Sequence, residues 1–80
     1  MEKESLTFEG EYINGQRNGK GKEYNTEKQL IFEGEYLYNR KIKGKTFVEN
    51  ILEYEGEFLN GKKWNGKGYD RNGNITQKNN

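Results

Sequence analysis

The chain has 80 residues and a net charge of +1; 29% of it is hydrophobic, 14% is aromatic, 11 residues are glycine, and Cys, His and Pro are absent. That length gives one small domain, burying only about 60% of its unfolded surface, with neither disulfides nor the thiolate and imidazole ligands of a zinc site to hold it. The near-zero net charge excludes a bulk electrostatic nucleic-acid binder, and no run approaches the about 18 apolar residues of a membrane span. A Gly- and Tyr-rich chain without Ala leaves two classes, disorder or short strands joined by tight turns.

Residues 1–5 form a lead-in whose charges at Glu2, Lys3 and Glu4 give no secretory signal. The expected location is therefore cytoplasmic, with a peripheral place at membrane or cytoskeleton left open. Residues 6–29 are the first of three repeated units. Leu6, Phe8, Gly10 and Tyr12 alternate with Thr7, Glu9 and Glu11, the period of two of a strand with one apolar face. Asn14-Gly15 and Asn18-Gly19 follow, supplying positive φ for a hairpin turn. A loop from Asn14 to Arg17 would set Glu11 opposite Lys20 and Glu9 opposite Lys22. The stretch Asn25-Thr26-Glu27-Lys28 links to the next hairpin.

Residues 30–50 repeat the unit, with Phe32-Glu33-Gly34-Glu35-Tyr36 lying 24 residues after its first copy. Here Tyr38-Asn39 stands where Asn-Gly is expected, which predicts an irregular turn. Phe47 to Leu52 has a helical periodicity, but the repeat predicts strand, turn, strand. Residues 51–73 are the third unit, with Tyr54-Glu55-Gly56-Glu57-Phe58 a further 22 residues on. Its Trp64 reads as an insertion in a turn, matching Ile42. Residues 74–80 are polar where a fourth unit would place an aromatic near Lys78, so they read as a cap or tail.

Gly10, Gly34 and Gly56 stand inside strands, where glycine is tolerated if a ring or another backbone must come close. They are expected to receive rings from the neighbouring repeat. Gly19, Gly21, Gly44, Gly66 and Gly68 complete the set of structural glycines. Phe-Glu-Gly-Glu-Tyr followed by Asn-Gly-x-x-Asn-Gly-Lys-Gly resembles the MORN (membrane occupation and recognition nexus) repeat. The resemblance implies an all-β fold, a single-layer meander of three stacked antiparallel hairpins. It also implies scaffolding and self-association, and such arrays accompany lipid kinases and methyltransferases.

Motifs suggestive of chemistry fail on inspection. Gly61 to Gly68 fits a phosphate-binding loop until Gly68 replaces the Ser or Thr that would hold Mg²⁺. The stretch Asn39 to Thr46 ends correctly but begins with Asn39 in place of Gly. Asp70-Arg71-Asn72-Gly73-Asn74 imitates a calcium loop with its Gly two positions early, and Asn74-Ile75-Thr76 is a glycosylation triplet without a secretory signal. Three identical Glu-Gly-Glu pairs lack the two different environments that a glycosidase's acid and base require. The expectation is no enzyme, no cofactor and no metal.

Binding is the remaining class. Arg17, Lys20, Lys22, Arg40, Lys41, Lys43, Lys45, Lys62, Lys63 and Lys67 contain no acid among them. Stacked in register, they would line one side as a basic stripe facing an acidic protein or anionic lipid, unless the glutamates of the outgoing strands neutralise them. Phe8, Tyr12, Phe32, Tyr36, Tyr54 and Phe58, with Trp64, form an aromatic face of which a part is core and the rest a contact surface. The leading expectation is a non-catalytic interaction module that binds another protein or a second copy of itself through open faces or edges. Peripheral binding to anionic, phosphoinositide-type membranes is the alternative, and a regulatory repeat segment of a larger enzyme the second alternative.

Overall fold

The computed structural model describes residues 7–79, and the side chains of residues 77–79 are not described. The lead-in and Leu6, assigned above to the first apolar face, lie outside the described residues. Seven strands follow one another: β1 (Thr7–Ile13), β2 (Gln16–Tyr24), β3 (Leu30–Leu37), β4 (Arg40–Val48), β5 (Ile51–Leu59), β6 (Lys62–Tyr69) and β7 (Ile75–Asn79). They make one antiparallel sheet in sequence order, an all-β, single-layer meander.

Turn chemistry fixes the hairpins. Within each unit the turn is two residues long, with both residues at positive φ: Asn14 and Gly15 at 53° and 79°, Tyr38 and Asn39 at 51° and 68°, Asn60 and Gly61 at 54° and 80°. This geometry matches the right-handed twist of the strands it joins. The first loop is not four residues: Tyr12 pairs Arg17 and Ile13 pairs Gln16. Glu9 does face Lys22, but the register slips between Gly10 and Tyr12. Glu11 falls at the resulting bulge, where its Oε1 accepts from the Lys20 backbone N–H at 2.9 Å.

The second unit's turn is regular, although Tyr38 occupies a conformation that β-carbon sterics disfavour. The bulge of β2 clamps it. Asn39 N–H donates to the Arg17 carbonyl at 2.9 Å, Arg17 N–H to Asn39 Oδ1 at 2.7 Å, and Tyr38 N–H to Asn18 Oδ1 at 3.3 Å. Between units, Glu49-Asn50 joins β4 to β5 as tightly, with φ of 53° and 67°, so Phe47–Leu52 is strand, turn, strand. The other two links are five-residue loops with one design. Asn25 Oδ1 accepts from the N–H groups of Glu27 and Gln29. Asp70 Oδ1 does the same for Asn72 and Asn74, both at 2.9 Å. These bonds, with Asn74 first, hold the Asp70 carboxyl below its ordinary value.

The second loop delivers β7 onto β6, with Tyr69 opposite Ile75, Gly68 opposite Gln77, and Gly66 opposite Asn79. Residues 75–79 are thus a seventh strand, and Gln77, one residue before Lys78, takes the place of the next unit's aromatic.

The glycines pair with one another. Gly10 faces Gly21, Gly21 faces Gly34, Gly34 faces Gly44, Gly44 faces Gly56 and Gly56 faces Gly66, a continuous row across six strands. Side chains have no room there: a Cβ on Gly34 would stand 2.6 Å from the Gly44 Cα and 2.8 Å from the Phe32 ring. The occupying ring comes from the glycine's own strand, two residues before it, and not from the neighbouring repeat as expected: Phe8 lies over Gly10, Phe32 over Gly34 and Tyr54 over Gly56. Gly21 is approached from both sides, by Phe8 of its own unit and Tyr36 of the next.

Gly34→Ala is therefore expected to destabilise the sheet by about 2 kcal/mol through overpacking, lowering Tm by roughly 10 °C. Thermal denaturation followed by circular dichroism measures this, and an unchanged Tm would contradict the close-approach account.

Candidate interaction surfaces

The glycine row lets the rings lie down, and they close one face of the sheet. Tyr12, Phe8, Tyr36, Phe32, Phe58 and Tyr54 form a continuous chain of edge-to-face contacts with centroids 5.1–5.7 Å apart. Contacts within a unit (Phe8 to Tyr12) alternate with contacts between units (Phe8 to Tyr36), so the chain stitches the repeats together. Each contributes about 0.5–1.5 kcal/mol beyond its buried area. Phe32, Tyr36 and Tyr54 are fully buried, Phe8 and Phe58 half-buried, and Tyr12, on the outermost strand, exposed. Of the seven aromatics expected to form that face, Phe32, Tyr36 and Tyr54 are thus core.

The cations divide into three groups and do not form one stripe. Arg17, Lys41 and Lys63, equivalent residues of the three units, cover the rings. The Arg17 guanidinium sits 4.2 Å from the Phe8 centroid, Lys41 Nζ 4.6 Å from that of Phe32, and Lys63 Nζ 5.3 Å from that of Tyr54. Each is also ion-paired. Arg17 Nη1 lies 2.9 Å and Lys41 Nζ 3.5 Å from the buried Glu23 carboxylate, and Lys63 Nζ lies 3.6 Å from Glu53.

Glu23 completes its set with the Tyr36 hydroxyl, which donates to Oε2 at 2.6 Å. Burial first, then this bond and the charge of Glu23, push the Tyr36 phenol well above its ordinary value of 10.0. Glu23 was not foreseen as a site, because its role depends on sheet register: it lies between Phe8 and Phe32 in adjacent strands.

A second group occupies the opposite face. Along one side of the glycine row stand Glu9, Lys22, Glu33, Lys45, Glu55 and Lys67, each the cross-strand neighbour of the next. Along the other side stand Lys20, Glu35, Lys43 and Glu57. Acid and base alternate at every step from β1 to β6; β7 then sets Lys78 beside Lys67. Between the two ladders the glycine backbones floor two adjoining troughs of about 430 and 580 Å³ that share Glu33, Gly34 and Glu35.

The last two cations, Arg40 and Lys62, belong to the hairpin tips, opposite Leu37 and Leu59. Ile13, Leu37 and Leu59, the residues immediately before the three turns, are all exposed there. Tyr38 (66% exposed) at the second turn and Ile42 and Trp64 (48%) within the bulges extend this edge. Trp64 stands within β6 and not in a turn; Ile42 is its counterpart as expected, at the slip in register between β3 and β4. The apolar residue ahead of each turn recurs at the repeat spacing, a signal present in the sequence that the ring positions overshadowed.

Removing the buried carboxylate with Glu23→Ala leaves Arg17, Lys41 and the Tyr36 hydroxyl without their shared acceptor, an expected loss of about 2 kcal/mol in denaturant unfolding. The raised Tyr36 value makes stability complete below the ordinary tyrosine value, declining as pH rises through the shifted one. Tyr36→Phe is expected to flatten that alkaline decline in pH-dependent unfolding.

The sequence profile described as "MORN repeat" matches residues 8–26 and 54–68. These are the first and third hairpins; the second, with its Tyr38–Asn39 turn, lies outside the matched segments but has the same register and the same ring-over-glycine packing. No curated protein and no solved structure matches the chain. The aligned profile, the seven-stranded antiparallel meander and the recurring rings on glycine agree: the chain is a MORN-repeat protein.

Proposed function

We propose that the chain is a non-catalytic interaction module that docks a partner protein through its hairpin-tip edge and serves as a scaffold. MORN repeats are generally associated with protein and membrane interaction, and the family is generally non-catalytic. The observation that carries the reading is that, among the described residues, six of the nine exposed large apolar side chains gather toward one edge: Ile13, Leu37, Tyr38, Ile42, Leu59 and Trp64. Of the other three, Val48 and Ile75 stand at the other ends of their strands and Tyr12 on the aromatic face. Apolar surface gathered in one place favours association, and Trp and Tyr are enriched among residues that dominate binding energy. The aromatic face is a weaker candidate because its rings are spent on one another and on the covering cations.

A second reading, attachment to an anionic membrane surface, draws on the same edge. Arg40 and Lys62 flank Leu37 and Leu59, an apolar strip bordered by cations as interfacial binders use.

One pair of variants separates the readings. Leu37→Ser and Trp64→Ala, both at exposed positions, should leave Tm nearly unchanged and reduce capture of partner proteins from lysate several-fold in quantitative pull-down. Capture unaltered by both substitutions would refute docking at the tip edge. Co-sedimentation with phosphatidylserine or phosphoinositide vesicles at low salt, lost on Arg40→Glu with Lys62→Glu, would favour the membrane reading instead.

A further inference from the structure

The charged face carries a pattern that the tip edge does not use. Its two ladders read Glu9, Lys22, Glu33, Lys45, Glu55, Lys67 and Lys20, Glu35, Lys43, Glu57 in strand order. Across β1 to β6 each has an even number of alternating charges, so each becomes its own complement when reversed; Lys78 of β7, beside Lys67, lies outside that symmetric span. Both also share one centre, between β3 and β4: Glu33 and Lys45 flank it in the first ladder, Glu35 and Lys43 in the second.

We propose that two copies of the chain pack charged face to charged face about a two-fold axis that runs parallel to the strands between β3 and β4. That rotation keeps each ladder over the same ladder of the partner copy and reverses its order. Glu9 then meets Lys67 of the second copy, Lys22 meets Glu55, Glu33 meets Lys45, Lys20 meets Glu57 and Glu35 meets Lys43, with no like-charged pair. A two-fold along the ladders would instead set every charge against its own kind. Complementary potentials of this sort select partner and register, and an isologous two-fold contact is the commonest form of self-association.

Three further observations support a second copy as the occupant. The ladders are little satisfied within their own sheet: among the described residues of this face, only Lys43 and Glu35 come within ion-pair distance, at 3.9 Å. At the tip end of the same face, Leu37 and Leu59 alternate with Arg40 and Lys62. The same rotation lays Leu37 on the partner's Arg40 and Ile13 on the partner's Lys62, where basic side chains can cover aliphatic surface with their stems. The molecule's two broad dimensions, 38 and 31 Å, leave room for the about 800 Å² per partner of a standard interface. Sheets packed face to face keep their strands within about 30° of each other, as this axis requires.

The proposal extends the interaction reading and shares Ile13, Leu37, Arg40 and Lys62 with the tip edge. It rests on the charge ladders, however, so charge reversal at Lys22 and Glu55 tests it apart from that reading. Lys22 and Glu55 provide the test because they stand three strands apart, about 14 Å, within one sheet and meet only across the dimer. Sedimentation equilibrium of the full chain at low salt should show a dimer that dissociates as salt screens its exposed charges. Lys22→Glu and Glu55→Lys should each be monomeric, with β circular dichroism retained. An equimolar mixture of the two variants should restore the dimer, because each supplies the charge the other needs. A strictly monomeric parent chain would overturn the proposal and leave this face to water or to another partner. So would single variants that dimerise as the parent does, or a mixture that stays monomeric. A dimer insensitive to these charges but abolished by Leu37→Ser would place self-association at the tip edge instead.

Discussion

The close approach of backbone along the row Gly10–Gly21–Gly34–Gly44–Gly56–Gly66 is the constraint on which the rest of the structure depends. A single-layer sheet ordinarily leaves a face uncovered and needs a second layer to bury it. Here the missing β-carbons open a furrow, and each unit's leading ring lies down into it over its own strand. Rings that would stand upright and far apart come within 5.1–5.7 Å of one another. The sheet becomes its own second layer. This is how a chain with 29% hydrophobic residues escapes the disorder that its composition leaves open: its core is a line of rings linked from neighbour to neighbour, as the stability of a repeat array is.

Charge follows the same geometry. Strand alternation sends the residues beside each glycine to the opposite face, where outgoing strands contribute Glu and returning strands Lys. Antiparallel pairing must then interleave them. The basic stripe expected from listing cations alone therefore becomes two mixed ladders plus three ring-covering residues, Arg17, Lys41 and Lys63, each held by a carboxylate. Apolar side chains stay exposed at the tip edge, as at Leu37, Leu59 and Trp64, because the turns lie beyond the reach of the ring chain. The glycine furrow thus separates three surfaces: a closed aromatic face, a zwitterionic face and an apolar edge.

Much of the fold was legible in the residues. The period of two around each Glu-Gly-Glu, the Asn-Gly turns at Asn14 and Asn60 and the spacing of the three units specify hairpins, because side-chain alternation and positive φ are local properties. The same local rules read Phe47–Leu52 correctly against its helical periodicity. The Tyr38–Asn39 turn was misjudged because residue preference describes the isolated turn. Its regular geometry comes from hydrogen bonds to Arg17 and Asn18, some twenty residues earlier. Glu11 was set opposite Lys20 because the bulge that displaces it, between Gly10 and Tyr12, leaves no mark in composition.

The sequence by itself determined the number of hairpins, the family and the division of each strand into ring, glycine and charge, since these follow from periodicity and turn chemistry within some 24 residues. The tertiary structure decided which surface each residue serves. Glu23 is a buried anchor and not a solvated carboxylate because register sets it between Phe8 and Phe32, within reach of Lys41 from the next unit. The cations became ladders and ring covers, and a border-of-disorder composition became an ordered sheet, because cross-strand pairing joins residues that no local pattern connects.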